Sequence, residues 1–462
     1  MPKEKSITRV LLWQTAGRFA LQGISFITAP IFTRLLTPSD YGQFAVYSTW
    51  VSLFSLIIGL QTHGSIANAK VKYADEKING YLSSIMTLSV ISFIILFCLV
   101  IVFNSFFARF LALRSDLVIL LVIESFAAFC IAFYIGKLIQ YKKAEQSTLI
   151  SVFLAIITTG LSLILLLNIK ENRYIVRIYA HAIPIIIAGL IIVIYIYFKG
   201  KKLINFQYWK YCLLLTIPTI FHGAASIIIA QSDRIMLQRI VGESYAGIYS
   251  ISYTLALVIA TIWTSFNVTW VPFYYEYKKN NDNDLILLRT KNYTIIFTII
   301  TMGFVLLAPE VFRIIAPREY WSGIKLMPLI AMAYYFNFLY SFPANFEFYK
   351  EKTILIAMGT IFAAIINVIF NLFLIPIYAG IGAAIASLIS FVSLFIFHEI
   401  VARFVIKNYE NKLRLYLTGL MPVGIIVVIF YFIQELWYVR WGIGLVLGVY
   451  LLRRIIKNKA IF

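Results

Sequence analysis

Long apolar runs separated by short polar connections recur from one end of this chain to the other. Many hold 18 or more residues, enough for a helix to cross a bilayer core of about 30 Å. The expected spans cover about 12–34, 41–63, 81–107, 116–136, 148–169, 176–198 and 210–232. They continue over about 245–270, 293–312, 324–345, 354–376, 381–402, 414–434 and 437–453. The pattern predicts an all-α polytopic membrane protein of about fourteen transmembrane helices. Pro30, Pro184, Pro218 and Pro343 fall inside these runs, where a helix kinks and its neighbours satisfy the freed carbonyls.

Composition agrees with the pattern: 61% of the 462 residues are hydrophobic and 13% charged, far from soluble domains. The net charge of +20 does not mark a nucleic-acid partner, because the basic residues sit in the connections between runs. Connections on the side of the two termini carry 27 of the 40 Lys and Arg, and the opposite set carries 12. Both termini are therefore expected in the cytoplasm. Trp13, Trp209, Trp270, Trp321, Trp437 and Trp441 lie near span ends, as an interfacial belt requires. Cys98, Cys130 and Cys212 fall inside apolar runs and read as small buried hydrophobes. The first run is too long and too polar, with Gln14, Arg18 and Gln22, for a cleavable signal peptide.

The chain repeats itself. At an offset of 205, Arg34 meets Arg239, Ser39 meets Ser244, Gly42 meets Gly247 and Thr49 meets Thr254. Leu35 also meets Ile240, and Phe44 meets Tyr249. A second echo aligns Glu145, Leu149 and Ile150 with Glu351, Leu355 and Ile356. The copies lie on spans one–two and seven–eight, so both halves enter the membrane in the same direction. This predicts two parallel six-helix lobes, residues 1–200 and 201–405, followed by two C-terminal spans in 406–462.

Polar residues inside spans are the informative ones, because each is costly in hydrocarbon. Gln14, Arg18, Gln22 and Ser25 share one face of span one. Thr219, His222, Ser226 and Asp233 share a face of span seven, and Ser48, Ser52, Ser55, Gly59 and Thr62 a face of span two. Span eight presents Tyr249, Tyr253 and Asn267. These stripes either line a wet cavity or, for the small residues of span two, pack helices together. Arg18 either lines that cavity or snorkels to the cytoplasmic edge. Arg34, Asp233, Arg234 and Arg239 fit a cavity lining and a solvated external mouth equally well. Glu124 reads as a protonatable coupling group or as a neutral buried acid. His222, in the middle of its stripe, is the histidine favoured for function; His63, His181 and His398 read as structural. Asn367 and Asn371 are expected to form interhelical hydrogen bonds. No phosphate-binding loop, zinc-protease motif or nucleophile–base set is present, so neither an enzyme nor a cofactor is expected.

Two motifs carry a resemblance. One is Arg34-Leu35-Leu36-Thr37-Pro38-Ser39-Asp40-Tyr41-Gly42 at the end of span one. The other is Asp233-Arg234-Ile235-Met236-Leu237, followed by the stretch from Gly247 to Tyr253. With the span count, they resemble the polysaccharide biosynthesis proteins, the O-antigen and oligosaccharide flippases of the multidrug/oligosaccharidyl-lipid/polysaccharide exporter superfamily. The resemblance implies alternating access of two lobes in the bacterial inner membrane. Its implied substrate is a polyprenyl-diphosphate-linked oligosaccharide moving from the cytoplasmic to the outer leaflet. Membrane lipids, a polysaccharide polymerase and a chain-length regulator are the implied partners. Gln14, Arg18, Gln22, Arg34, His222 and Arg239 are then the substrate-binding candidates, and Glu124 and Asp233 the ion-coupling ones. An anionic diphosphate needs fixed positive charge, which Arg18 offers. Two alternatives share the fold: a cation-coupled multidrug antiporter, which needs more cavity acids, and a peptidoglycan-precursor flippase, which needs more cavity arginines.

Overall fold

The computed structural model describes residues 2–73 and 75–458. They are almost wholly helical: α1 (Pro2–Leu35), α2 (Pro38–Gly59), α3 (Ile66–Lys72), α4 (Asp75–Val102) and α5 (Asn104–Leu111). Next come α6 (Ser115–Gln140), α7 (Ala144–Asn168), α8 (Arg173–Gly200), α9 (Phe206–Ile240) and α10 (Glu243–Lys279). The remainder are α11 (Asn283–Ile315), α12 (Met327–Tyr349), α13 (Thr353–Ile400), α14 (Leu413–Ile433) and α15 (Trp437–Asn458). Ten of the described helices are long and apolar enough to cross a membrane. The short α3 and α5 lie outside that set, as do α1, α12 and α15, which carry the expected spans over about 12–34, 324–345 and 437–453. α13 holds two expected spans, broken at Ala379, whose φ of 48° and ψ of −125° are not helical. Pro376 removes one backbone donor ahead of the break. Gly382 lies so close to the Leu374 carbonyl that a Cβ would collide with it.

The chain divides by its contacts into two compact units, with the division inside α9. The first holds 1–36 and 40–235, the second 37–39 and 236–462.

In the first unit α1 packs on α7, and α8 packs on α4, α6 and α7. Small residues allow these approaches, as bilayer packing requires. A Cβ on Gly59 would strike the Phe129 ring, and one on Gly189 would lie 2.6 Å from Ala127 Cα. The Gly59 end of the span-two stripe therefore serves packing. Thr62 at its far end meets Ser89 at 3.2 Å. One buried cluster joins Tyr81, Ile85, Cys130, Phe133 and Cys212; another joins Tyr47, Phe54, Leu117, Leu121 and Ile178. The buried Cys130 and Cys212 behave as expected, whereas Cys98 is exposed.

In the second unit α12 packs on α10 and α13, and α11 packs on α14 and α15. Arg440 of α15, completely buried, makes two hydrogen bonds to the Glu310 carboxylate of α11 and a third, of 2.7 Å, to the Leu306 carbonyl. The pairing offsets the cost of taking that guanidinium out of water. Asn371 bonds Asn367 one turn away on α13, at 3.0 Å.

Candidate functional site

In the first unit α1 carries the Gln14–Arg18–Gln22–Ser25 face. Its neighbouring face seats α7: the Thr148 hydroxyl donates to the Trp13 carbonyl at 3.0 Å, and Gly17 lies against the Thr148 side chain. This contact turns Arg18 outward, and its side chain is exposed. Gln14 and Gln22 flank it, half-buried, and Gln22 Nε2 has no hydrogen-bond partner among the described residues. The stripe therefore presents a guanidinium and two amides along one helix face, a set suited to an anionic, hydroxyl-rich ligand. Arg34, also exposed, folds back so that Nη1 donates to the Pro30 carbonyl at 2.7 Å. A cation at the C-terminal turn also suits the helix dipole.

On α9, His222 is half-buried, and Ser226 donates to its carbonyl at 2.9 Å. Asp233 is completely buried. Arg239, in the second unit, is exposed at the end of the helix.

The first unit gathers chemistry elsewhere, around Glu124 of α6, which is 1% exposed. The Tyr47 hydroxyl of α2 donates to Glu124 Oε2 at 2.7 Å, and His181 Nδ1 of α8 lies 2.8 Å from Oε1. His181 keeps 37% of its side chain exposed, whereas the carboxylate it meets is sealed inside the unit. The Phe44 ring stands edge-on to it at 5.7 Å. One turn before His181, the Arg177 guanidinium lies 3.3 Å from the Phe32 ring centroid and 4.3 Å from that of Phe44. Those faces attract a cation.

Four helices thus meet at one acid, one imidazole, one phenol and one guanidinium. Tyr47 and His181 together hold the Glu124 carboxylate in place. Sequence reasoning singled out Glu124 but read His181 as structural and passed over Tyr47 and Arg177. The signal that was available is the cost of a lone carboxylate in a span, which requires donors on neighbouring helices. Arg18 is not part of this cluster. Fourteen residues separate it from Phe32 on α1, about 20 Å along a helix.

Comparisons with known proteins follow the same lines. The family model for the polysaccharide biosynthesis proteins matches residues 7–278. An uncharacterized membrane protein of Haemophilus influenzae is 24% identical over 350 residues, covering 73% of this chain and 82% of that protein. Among solved structures, the lipid II flippase MurJ in an inward closed conformation superposes with a TM-score of 0.66 at 14% identity, covering 98% of both chains. An inward-facing multidrug resistance transporter of the MATE family gives a TM-score of 0.61 at 12% identity, covering 84% of this chain and 98% of that one. At such identities these two likenesses establish the fold. With its family model matched over more than half its length, the chain belongs to the polysaccharide biosynthesis protein family.

Proposed function

We propose that this membrane transporter is a flippase for a polyprenyl-diphosphate-linked oligosaccharide, such as an O-antigen or related repeat unit. It carries the substrate from the cytoplasmic to the outer leaflet of a bacterial inner membrane. Two six-helix lobes alternate access, both termini lie in the cytoplasm, and the protein performs no catalysis of its own. The observation that carries this reading is Arg18, exposed between two glutamines on a helix whose adjoining face is packed. An arginine at that depth is costly against lipid and stable against water or an anion. A diphosphate supplies charge-assisted, bidentate hydrogen bonds to a guanidinium, and sugar hydroxyls suit the two amides. A single guanidinium on the stripe favours an O-unit over a peptidoglycan precursor.

Transport is coupled to an ion gradient, with Glu124 as the ion-coupling carboxylate and His181 bonded beside it. Asp233 is the second coupling candidate, and Arg34, His222 and Arg239 contribute to substrate binding. A polymerase and a chain-length regulator are the expected protein partners.

The test is deletion of the gene in its own host, with lectin labelling of the cell surface and extraction of lipid-linked sugars. Loss of surface label with accumulation of the lipid-linked unit is expected. Unchanged labelling, with no second transporter present, removes the reading.

A further inference from the structure

The chain has four histidines, and two of them are joined to a glutamate. In the first unit Glu124 and His181 connect α6 to α8. In the second unit Glu347 of α12 and His398, near the end of α13, form another such pair, with His398 Nδ1 2.7 Å from Glu347 Oε1. If the duplication is followed helix by helix, both pairs join the fourth span of a repeat to the sixth. Their surroundings differ. His181 is partly exposed, whereas His398 and Glu347 are both completely buried.

The second pair is closely enclosed. The Tyr340 ring lies 4.9 Å from the imidazole and the Phe397 ring 5.3 Å from it. Gly359, from the first half of α13, presses its backbone against Nε2, where a side chain would not fit. Glu347 Oε2 and His398 Nε2 have no hydrogen-bond partner among the described residues. The charged groups nearby are engaged elsewhere. Glu399 pairs with Arg403 at 2.6 Å, Glu410 with Lys278 at 2.6 Å, and Lys350 lies over the rings of Phe346 and Tyr349. Tyr340 is the remaining titratable neighbour.

A buried acid–imidazole pair with no counter-charge is least costly when neutral overall, as imidazolium–carboxylate or as imidazole–carboxylic acid. Both forms hold one shared proton. Adding or removing a proton would leave a net charge in a dry site, so the pair keeps its proton for as long as it stays closed. The backbone beside it is irregular. α13 passes directly into a π-helical segment, Val401–Ile406, and Pro343 lies inside α12 one turn before Glu347. π-helical turns and prolines are where helices bend and where function concentrates.

We propose that Glu347–His398 is a second proton-binding site of this protein, occluded in this conformation, whose proton exchanges when α12 and the end of α13 part. The site stands independently of the flippase reading. Only its place in transport, as the second unit's counterpart to Glu124–His181, rests on that reading.

The test is hydrogen–deuterium exchange at the imidazole C2 position, followed by mass spectrometry on the purified full chain in lipid nanodiscs across pH 5–9. It needs no substrate. His398 is expected to exchange on the order of tenfold more slowly than His181, as closure requires. In Glu347→Gln the exchange of His398 is expected to rise toward that of His181, because the bond that anchors the imidazole in the closed site is weakened. Exchange of His398 as fast as that of His181 in the unmodified protein overturns the occlusion, and this arm needs no variant to fold. Unchanged His398 exchange in a folded Glu347→Gln overturns the pair as what holds the site closed. Wild-type export by a folded Glu347→Gln, with both exchange results as expected, leaves the site standing and overturns its place in transport.

Discussion

Glu124 shows how one costly residue organises its neighbours. A carboxylate in a span costs a few kcal/mol on insertion scales (about 2.5–3.5 for Asp at mid-helix). Here it is met by a phenol from α2 and an imidazole from α8. Glu124→Gln keeps an acceptor for Tyr47 but cannot titrate. Export should fall at least about tenfold while the protein folds at normal levels, because a proton-transfer group contributes that much or more. Surface labelling at matched membrane abundance checks this, and wild-type export by Glu124→Gln removes Glu124 from coupling. Tyr47→Phe deletes one hydrogen bond to an acid. It should lower stability by about 1.5–3 kcal/mol if that acid is ionised and reduce export only slightly, measured by thermal unfolding in detergent and the same labelling. The acid was legible in the sequence because its burial cost is local information. Its partners were not, since Tyr47 and His181 lie 77 and 57 residues away and only helix packing brings them together. Arg177 escaped for the same reason: its value lies in the Phe32 and Phe44 faces, on helices the local pattern does not pair with it.

Helices were the most legible level, because apolar runs of bilayer length leave few other structures. Each expected span falls on a helix. The break at Ala379 within α13 falls between the spans expected over about 354–376 and 381–402. The ends were less legible. α10 runs on to Lys279 and α11 begins at Asn283, so most of the stretch between the spans expected over about 245–270 and 293–312 is helix. Glu276, Lys278 and Lys279 suit helix continuation, and the turn falls at 280–282, on Asn and Asp residues of low helix propensity. Two contacts between elements give direct tests. Gly189→Leu forces a side chain into Ala127 and should separate α8 from α6, costing more than the roughly 1–3 kcal/mol of ordinary overpacking. Gly160, with open space around it, provides the control, and Gly160→Leu should leave the melting temperature within a few degrees. Equal effects of the two substitutions would contradict the packing described. Arg440→Ala leaves Glu310 without its partner. Removing one member of a buried pair costs about 3–5 kcal/mol, and the 23% exposure of Glu310 sets the expectation at the lower end. Glu310→Gln combined with Arg440→Met should recover most of that loss, because neither charge then remains unpaired.

At the scale of the whole molecule, family and fold account for a membrane transporter, and the residues on α1 point to what it carries. The expected internal duplication rests on a few identities at one offset. The substrate was not legible as a motif, because a cavity is specified by a few spaced polar side chains rather than by a contiguous run. Arg18 is where the whole account is most exposed to test. The decisive measurement is surface polysaccharide labelling in the host's deletion strain, complemented with wild type, Arg18→Ala or Arg18→Lys at equal membrane abundance. Arg18→Ala should approach the deletion strain. Arg18→Lys should fall between the two, keeping the charge while losing the bidentate fork. Labelling by Arg18→Ala equal to wild type would contradict the account, leaving Arg18 as a snorkelling surface arginine and the α1 stripe without a ligand.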